Sequence, residues 1–219
     1  MQLRADLSQR AVVTPADYEW VDSPMPSVQR MMLDRDGGEV ARATSLVRYA
    51  PNSTFSAHTH GGGEEFLVLD GEFGDEHGRY GPGVYARNPI GTSHSPVVGA
   101  AGALILVKLH QFSTTDTAHF TLDTRAAQFQ SGTVSGVESL QLHQHGSESV
   151  RLVRFVPNLE FPEHNHPGGE ELFVIQGSLR DEHGDYPEGS WVRSPVGSSH
   201  QASSGPEGCL LWIKTGHLG

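Results

Sequence analysis

His58, His60, Glu64 and His94 are the residues of this chain on which chemistry is most readily built. His164, His166, Glu170 and His200 repeat them, each 106 positions later. Two histidines separated by one residue on a strand project from the same face. The glutamate follows a short Gly-rich loop, and the third histidine arrives after a Pro-x-Gly turn. If a sheet closes on itself, each set of four converges on one point. Three imidazoles and one carboxylate suit a borderline divalent metal such as zinc, iron, manganese, nickel, copper or cobalt. They do not suit calcium or magnesium, which prefer all-oxygen shells. A lone histidine is ordinarily a surface or core residue. Six histidines and two glutamates recurring in one register are better explained as two metal sites.

Each candidate glutamate has a glutamate neighbour, Glu65 or Glu171, and adjacent strand residues face opposite sides. Only one of each pair can look inward with the histidines. The other is left to make an ion pair or to orient a ligand. Arg87 and Arg193 precede the Pro of each copy; they either pair with Glu65 and Glu171 or hold an anionic ligand. Tyr80/Tyr186, Tyr85/Trp191 and Phe66/Leu172 are paired positions near the motifs that either pack the core or line a pocket.

The same offset carries Arg48 onto Arg154 and Lys108 onto Lys214 with no insertion between them, and roughly half the residues from Arg48 to His94 are identical to their partners. A repeat of this length is a whole small domain rather than a solenoid unit. The predicted elements are short. Apolar runs such as Phe66–Leu69 and Leu104–Leu109 are separated by turn signals such as Pro51-Asn52, His77-Gly78 and Gly81-Pro82-Gly83, which indicates an antiparallel barrel or sandwich. Residues 1–44 read as a lead-in of strands and one short helix at Thr14-Pro15-Ala16-Asp17, packing on a barrel. Residues 45–110 read as the first barrel, 111–136 as a linker with a strand at Phe120–Leu122 crossing between barrels, and 137–219 as the second barrel. A third His-x-His, His143–His145, lacks a correctly spaced glutamate and is predicted in a surface turn. His77 and His183 sit at turn tips. His110, His119 and His217 have no partner visible in sequence.

Composition narrows the function classes. The net charge is −11 with 15 basic residues, so there is no positive surface to displace counterions from phosphates, and nucleic acid is excluded as a partner. An anionic membrane surface is disfavoured for the same reason. No apolar run approaches ~18 residues, and Met1–Arg10 carries no signal-peptide pattern. With the single cysteine, Cys209, unable to form an internal disulfide, a cytoplasmic location is the expectation. Cys209 itself lies in an apolar run and is read as a small core residue.

His-x-His-x3-Glu-x6-Gly, ending at Gly71 and Gly177, followed by Gly-x5-Pro-x-Gly-x2-His, ending at His94 and His200, resembles the two motifs of the cupin superfamily. Both occur in order, twice. Asn52 and Asn158 stand where a Gly usually opens the first motif, and Val98 and Ser204 where an Asn usually ends the second. The resemblance covers about residues 45–110 and 151–217. It implies an all-β chain of two tandem jelly-roll-type antiparallel barrels, a bicupin, and it favours Glu64 and Glu170 as the ligand members of the glutamate pairs. Pairing through edge strands, and so a homodimer, is a further family expectation.

Within cupins, Gly-Glu-Glu, Asp-Glu-His-Gly-x-Tyr, Arg-x-Pro and the terminal Lys-Thr-Gly-His-Leu resemble the cupin domain of the anti-sigma factor ChrR. That resemblance implies zinc, one per barrel, and a regulatory role in the response to singlet oxygen. The sigma-binding part of that family is a separate helical domain with a His-x3-Cys-x2-Cys zinc site. Residues 1–44 are too short for it and one cysteine cannot build it, so sigma binding is not carried over and the regulatory partner is unidentified. The alternative is a non-haem dioxygenase with iron, manganese or nickel, in which open coordination positions admit a small molecule into the barrel. A third reading is zinc that only staples each barrel. On any of these readings His60→Ala should remove one metal per chain and leave the second site loaded; unchanged total metal by elemental analysis would mean that the ligands of the first barrel are wrongly assigned.

Overall fold

A computed structural model describes residues 1–38 and 40–219. The described chain is all-β, and its one helical element is a single 3-10 turn at Pro15–Asp17. The turn sits at the predicted helix start, where the Asp17 carboxylate accepts the Thr14 N–H at 2.9 Å.

The strands form two compact units. The first comprises Met1–Ala5 and Glu19–Ala126. Its sheet runs in the order Gln2–Leu3, Val28–Gly37, Ala41–Tyr49, Val97–Leu109, Glu64–Asp75, Val84–Asn88, Phe120–Asp123. Every pairing is antiparallel, and a separate two-stranded ladder joins His58–Thr59 to Ser93–His94. The segment predicted as an edge strand near Ser27–Leu33 is longer, Val28–Gly37, and pairs with Ala41–Tyr49 along its length. Phe120–Asp123 pairs with Val84–Asn88.

The second unit comprises Asp6–Tyr18 and Ala127–Gly219. Its sheet has the order Gln130–Ser131, Val137–His145, Glu148–Phe155, Ser203–Thr215, Glu170–Asp181, Trp191–Ser194, Ala11–Val13. Its small ladder joins His164–His166 to Ser198–His200. The outermost strand of this sheet comes from the start of the chain and pairs Ala11 with Arg193. His143–His145, predicted in a surface turn, ends the strand Val137–His145 with His143 buried; the turn follows at Gly146.

Each unit has its own apolar core. Phe66, Val68, Phe73, Ile105 and Val107 belong to the first, and Leu172, Val174, Leu179, Leu211 and Cys209 to the second. Cys209 is a free, buried thiol, with burial pushing its pKa up to about 12.

The curvature that closes each unit is set by glycine. Gly71 has φ +72°, and a Cβ there would lie 2.1 Å from the carbonyl oxygen of Gly102. Gly177 repeats this with φ +76° and 2.1 Å to the oxygen of Gly208. No other residue tolerates both the left-handed conformation and the close approach. Asn52 and Asn158, the two departures from the first motif, lie at φ 58° and 55°. They take the left-handed conformation that Asn accepts more readily than other side chains.

Gly71→Ala is expected to destabilise the first unit by about 1–3 kcal/mol from backbone strain alone, with the overlap at Gly102 adding to it. Each kcal/mol should lower the midpoint of thermal unfolding by ~2–4 °C. Gly91→Ala, whose Cβ would meet nothing within 4 Å, carries the strain without the overlap and should cost less.

Candidate metal centres

The antiparallel ladders place the first candidate ligands. His58 and His94 are direct cross-strand partners, as are His164 and His200. His60 and His166 stand two residues further along and share the face. The sheet then brings in the carboxylates, each from the first residue of a long strand, Glu64–Asp75 or Glu170–Asp181.

In the first unit the candidate ligand atoms of His58, His60, Glu64 and His94 all lie within 4.8 Å of one another. His94 Nε2 faces His58 Nε2 at 3.2 Å, and Glu64 Oε1 is 3.6 Å from His60 Nε2 and 3.8 Å from His94 Nε2. In the second unit the three imidazoles of His164, His166 and His200 close to the same limit. Glu170 stands 3.6 Å from His166 Nδ1 and 3.9 Å from His200 Nε2, just outside that tightest grouping. The difference lies in the His166 ring. Thr92 Oγ1 and Ser198 Oγ both donate to a preceding proline carbonyl, Pro89 or Pro195, but Thr92 Oγ1 also holds His60 Nδ1 at 2.9 Å, and no such bond joins Ser198 to His166. His166 is therefore free to turn Nδ1 toward Glu170.

The fit to a metal can be judged from the polar atoms themselves. His60 Nε2 and His166 Nε2 are buried with no hydrogen-bond partner. An unsatisfied buried imidazole nitrogen is costly, and a metal at the centre of the first cluster is the partner that would satisfy His60 Nε2, the atom that faces Glu64; in the second unit His166 presents Nδ1 to Glu170 instead. The donor set of nitrogen and carboxylate oxygen matches zinc or a redox-active first-row metal.

Burial dominates the electrostatics. It pushes the Glu64 and Glu170 carboxyls up to about 7. With help from the neighbouring imidazoles, it pushes His60 down to about 3 and His166 down to about 4. Neutral imidazole is the form that binds a metal.

Behind the clusters are residues that sequence reasoning missed. Asp75 Oδ2 lies 3.1 Å from His94 Nδ1, and Asp181 Oδ2 lies 3.0 Å from His200 Nδ1. Each carboxylate fixes the ring so that Nε2 points into the cluster. Tyr80 and Tyr186 donate to the same carboxylates at 2.9 and 2.6 Å. The identical Asp-Glu-His-Gly-x-Tyr runs were the available signal, although they read as turn tips; His77 and His183 are indeed exposed there. Asn88 Nδ2 donates to Glu64 Oε1 at 3.1 Å. In the second unit Arg10 pairs with Asp181 at 3.1 Å and also donates to Tyr186 Oη. His119 holds the matching place in the first unit, because Phe120 pairs with Arg87 as Ala11 pairs with Arg193.

The neighbouring glutamates turn away from the clusters. Glu65 forms a buried pair with Arg87 at 2.8 Å, and Arg87 also reaches Asp116 at 2.6 Å. In the second unit Glu171 and Arg193 are register partners, while Arg193 also donates to the Asp6 carbonyl at 3.0 Å.

The two clusters differ in access. A cavity of about 200 Å³ in the first unit touches His94 but none of the other three cluster residues. In the second unit a cavity of about 970 Å³ is lined by His164, His166, Glu170 and His200 together.

Comparison with known proteins places these observations. The family described as ChrR cupin-like domain matches residues 8–113 and again 117–219. No curated protein matches the chain significantly. Among solved structures, a protein of Nostoc punctiforme provisionally named a dioxygenase is similar over 94% of this chain and 82% of its own, with 15% identity and a TM-score of 0.78. A Pseudomonas aeruginosa protein provisionally named as glyoxylate induced covers 94% and 87%, with 16% identity and a TM-score of 0.75. The oxalate decarboxylase of Bacillus subtilis, which has Mn(II) centres, covers 95% and 78%, with 13% identity and a TM-score of 0.68. At these identities the likeness is one of fold, and it is to cupins. Among the described residues no helix is long and apolar enough to cross a membrane.

Asp75→Asn and Asp181→Asn should each weaken metal binding at their own site by ~10–100-fold while all four candidate ligands remain. Chelator competition would show this as one site of the two becoming labile; two unchanged sites would remove the carboxylates from the argument.

Proposed function

The chain belongs to the family of ChrR cupin-like domains, and from that membership we propose that it is a bicupin holding one divalent transition metal in each barrel. His58, His60, Glu64 and His94 are the ligands in the first, and His164, His166, Glu170 and His200 in the second. The observation that carries this reading is the convergence of the candidate ligand atoms in each unit, with buried His60 Nε2 facing Glu64 in the first and left without a hydrogen-bond partner. We further propose that the protein is regulatory, a zinc-binding sensor in the response to oxidative stress such as singlet oxygen, acting on a protein partner. The family supports that role. The first cluster, with His60, Glu64 and His94 buried, His58 exposed and the Phe73 ring beside His94, suits a metal that holds structure.

A second reading, a metal-dependent dioxygenase of a small substrate, is favoured by one observation: the large second cavity opens onto all four candidate ligands. A bound iron or manganese supplies Lewis acidity and one-electron chemistry at positions the protein leaves open. The chain's own contribution is to hold the ligands. Asp181 orients His200, Glu170 adds charge, and Leu172, Leu179 and Leu211 form an apolar part of the cavity wall.

Elemental analysis of protein purified without a metal-affinity tag separates these readings. Two zinc per chain is the expected result for the regulatory role. Two iron or manganese, with dioxygen consumed in a substrate screen, would replace it with the oxygenase. No metal, even after reconstitution, would overturn both.

A further inference from the structure

The two copies kept their ligands and changed what fills the space beside them. In the first barrel Tyr49, Phe66 and Phe73 pack ring against ring. The Tyr49–Phe73 and Phe66–Phe73 centroids are 5.1 and 5.2 Å apart, and Phe73 lies 6.2 Å from the His94 ring. The matching positions of the second barrel are Phe155, Leu172 and Leu179, and all three line the cavity. Leu109, packed on the first core, is matched by Thr215, which also lines the second cavity. Smaller side chains at these positions leave volume where the first barrel has aromatic rings. At about 970 Å³ the space is at the upper end of what small-molecule sites occupy.

One substitution is of a different kind. Buried Ser45 of the first barrel is matched by Arg151 in the second. Arg151, Val153 and Phe155 alternate along the strand Glu148–Phe155 and all line the cavity; Arg151 itself is exposed, so the guanidinium stands at the cavity's mouth. It is the one lysine or arginine among the lining residues. Its Nε donates to Ser149 Oγ at 3.0 Å, and no described carboxylate forms an ion pair with it. It lies close enough to the metal cluster for its charge to act on Glu170. A guanidinium at the mouth of a cavity whose walls include Val137, Phe155, Leu172, Leu179 and Leu211, with no protein carboxylate in an ion pair with it, is a place for a ligand's anion.

We propose that the second barrel, and not the first, binds an apolar monocarboxylate, its carboxylate paired with Arg151 beside the His164/His166/Glu170/His200 cluster and its hydrocarbon part among Val137, Phe155, Leu172, Leu179, Leu211 and Ile213. A carboxylate held at the mouth keeps its contact with water and gains a charged, planar partner in Arg151. The apolar walls supply affinity by burial. This rests on the bicupin reading for its second pole, the metal cluster, but the carboxylate pocket is defined by residues outside the ligand set.

Calorimetric titration of the full chain with octanoate, and with 1-octanol as the uncharged match, tests the proposal. Both metal-loaded and chelator-stripped protein are used, and the metal content of every variant is measured. Octanoate is expected to bind once per chain to the loaded protein. Arg151→Ser should weaken it about tenfold or more, Arg151→Lys should recover part of the loss, and neither should change the weaker binding of 1-octanol. L179F, which places the first barrel's residue in the cavity, should weaken both compounds, while F73L should leave octanoate binding as it was. Octanoate affinity unchanged by Arg151→Ser, or no binding in the millimolar range by folded, loaded protein, would overturn the proposal. Octanoate held through Arg151 by a protein that takes up no metal at all would instead sink the metal reading and leave the carboxylate site standing.

Discussion

Both clusters depend on a strand that turns back on itself. Glu64 and Asp75 open and close one strand, and a straight run of that length would hold them roughly 36 Å apart. Yet they flank the same imidazole: Glu64 is 3.8 Å from His94 Nε2, and Asp75 is 3.1 Å from its Nδ1. Only a sharply bent strand can do this, and the bend passes through Gly71, whose missing Cβ lets it approach the Gly102 carbonyl. Glu170, Asp181 and His200 repeat the arrangement around Gly177. Ligand placement and ring orientation therefore share one cause, the local curvature of the sheet, and a change to that curvature would disturb both sides of the imidazole together.

The adjacent glutamates show how the same strand serves two environments. Glu64 faces the cluster, where burial favours its neutral form unless a cation is present. Glu65, one residue on, points the other way into Arg87 and Tyr85, and Arg87 in turn reaches Asp116. Buried charges are tolerated when they are paired and hydrogen-bonded, and Arg87 does both while stacking over Phe112 at 4.0 Å. On the ion-pair side the charges of Glu65, Arg87 and Asp116 meet one another within the protein. The cluster side keeps an imidazole nitrogen, His60 Nε2, without a hydrogen-bond partner.

Duplication left the two barrels alike in their polar scaffold and unlike in their filling. Asp75 and Asp181, Tyr80 and Tyr186, and all eight candidate ligands are matched pairs. The divergence is in side-chain volume and in one charge: Phe66 against Leu172, Phe73 against Leu179, Ser45 against Arg151. Support for the third histidine differs as well. Asp181 is braced by Arg10, carried on the segment Asp6–Tyr18 that completes the second unit, whereas His119 occupies the equivalent place in the first. One barrel is arranged as a closed core and the other as a vessel.

The sequence by itself determined the duplication, the all-β class, the residue types of the clusters and their order along the chain. These are local or repeating features: alternation, turn residues and fixed spacings follow from short-range backbone geometry. It did not reveal that Asp75 and Asp181 orient the imidazoles, because the Asp-Glu-His-Gly run also satisfies a hairpin turn and nothing local distinguishes the two roles. Nor did it show that Arg10 reaches Asp181, 171 residues away, or that His143 is buried on a strand. The unequal cavities were visible only as a scatter of Phe-to-Leu differences. Whether such differences leave a void depends on how all the walls of a closed sheet meet, and that is decided by the tertiary fold.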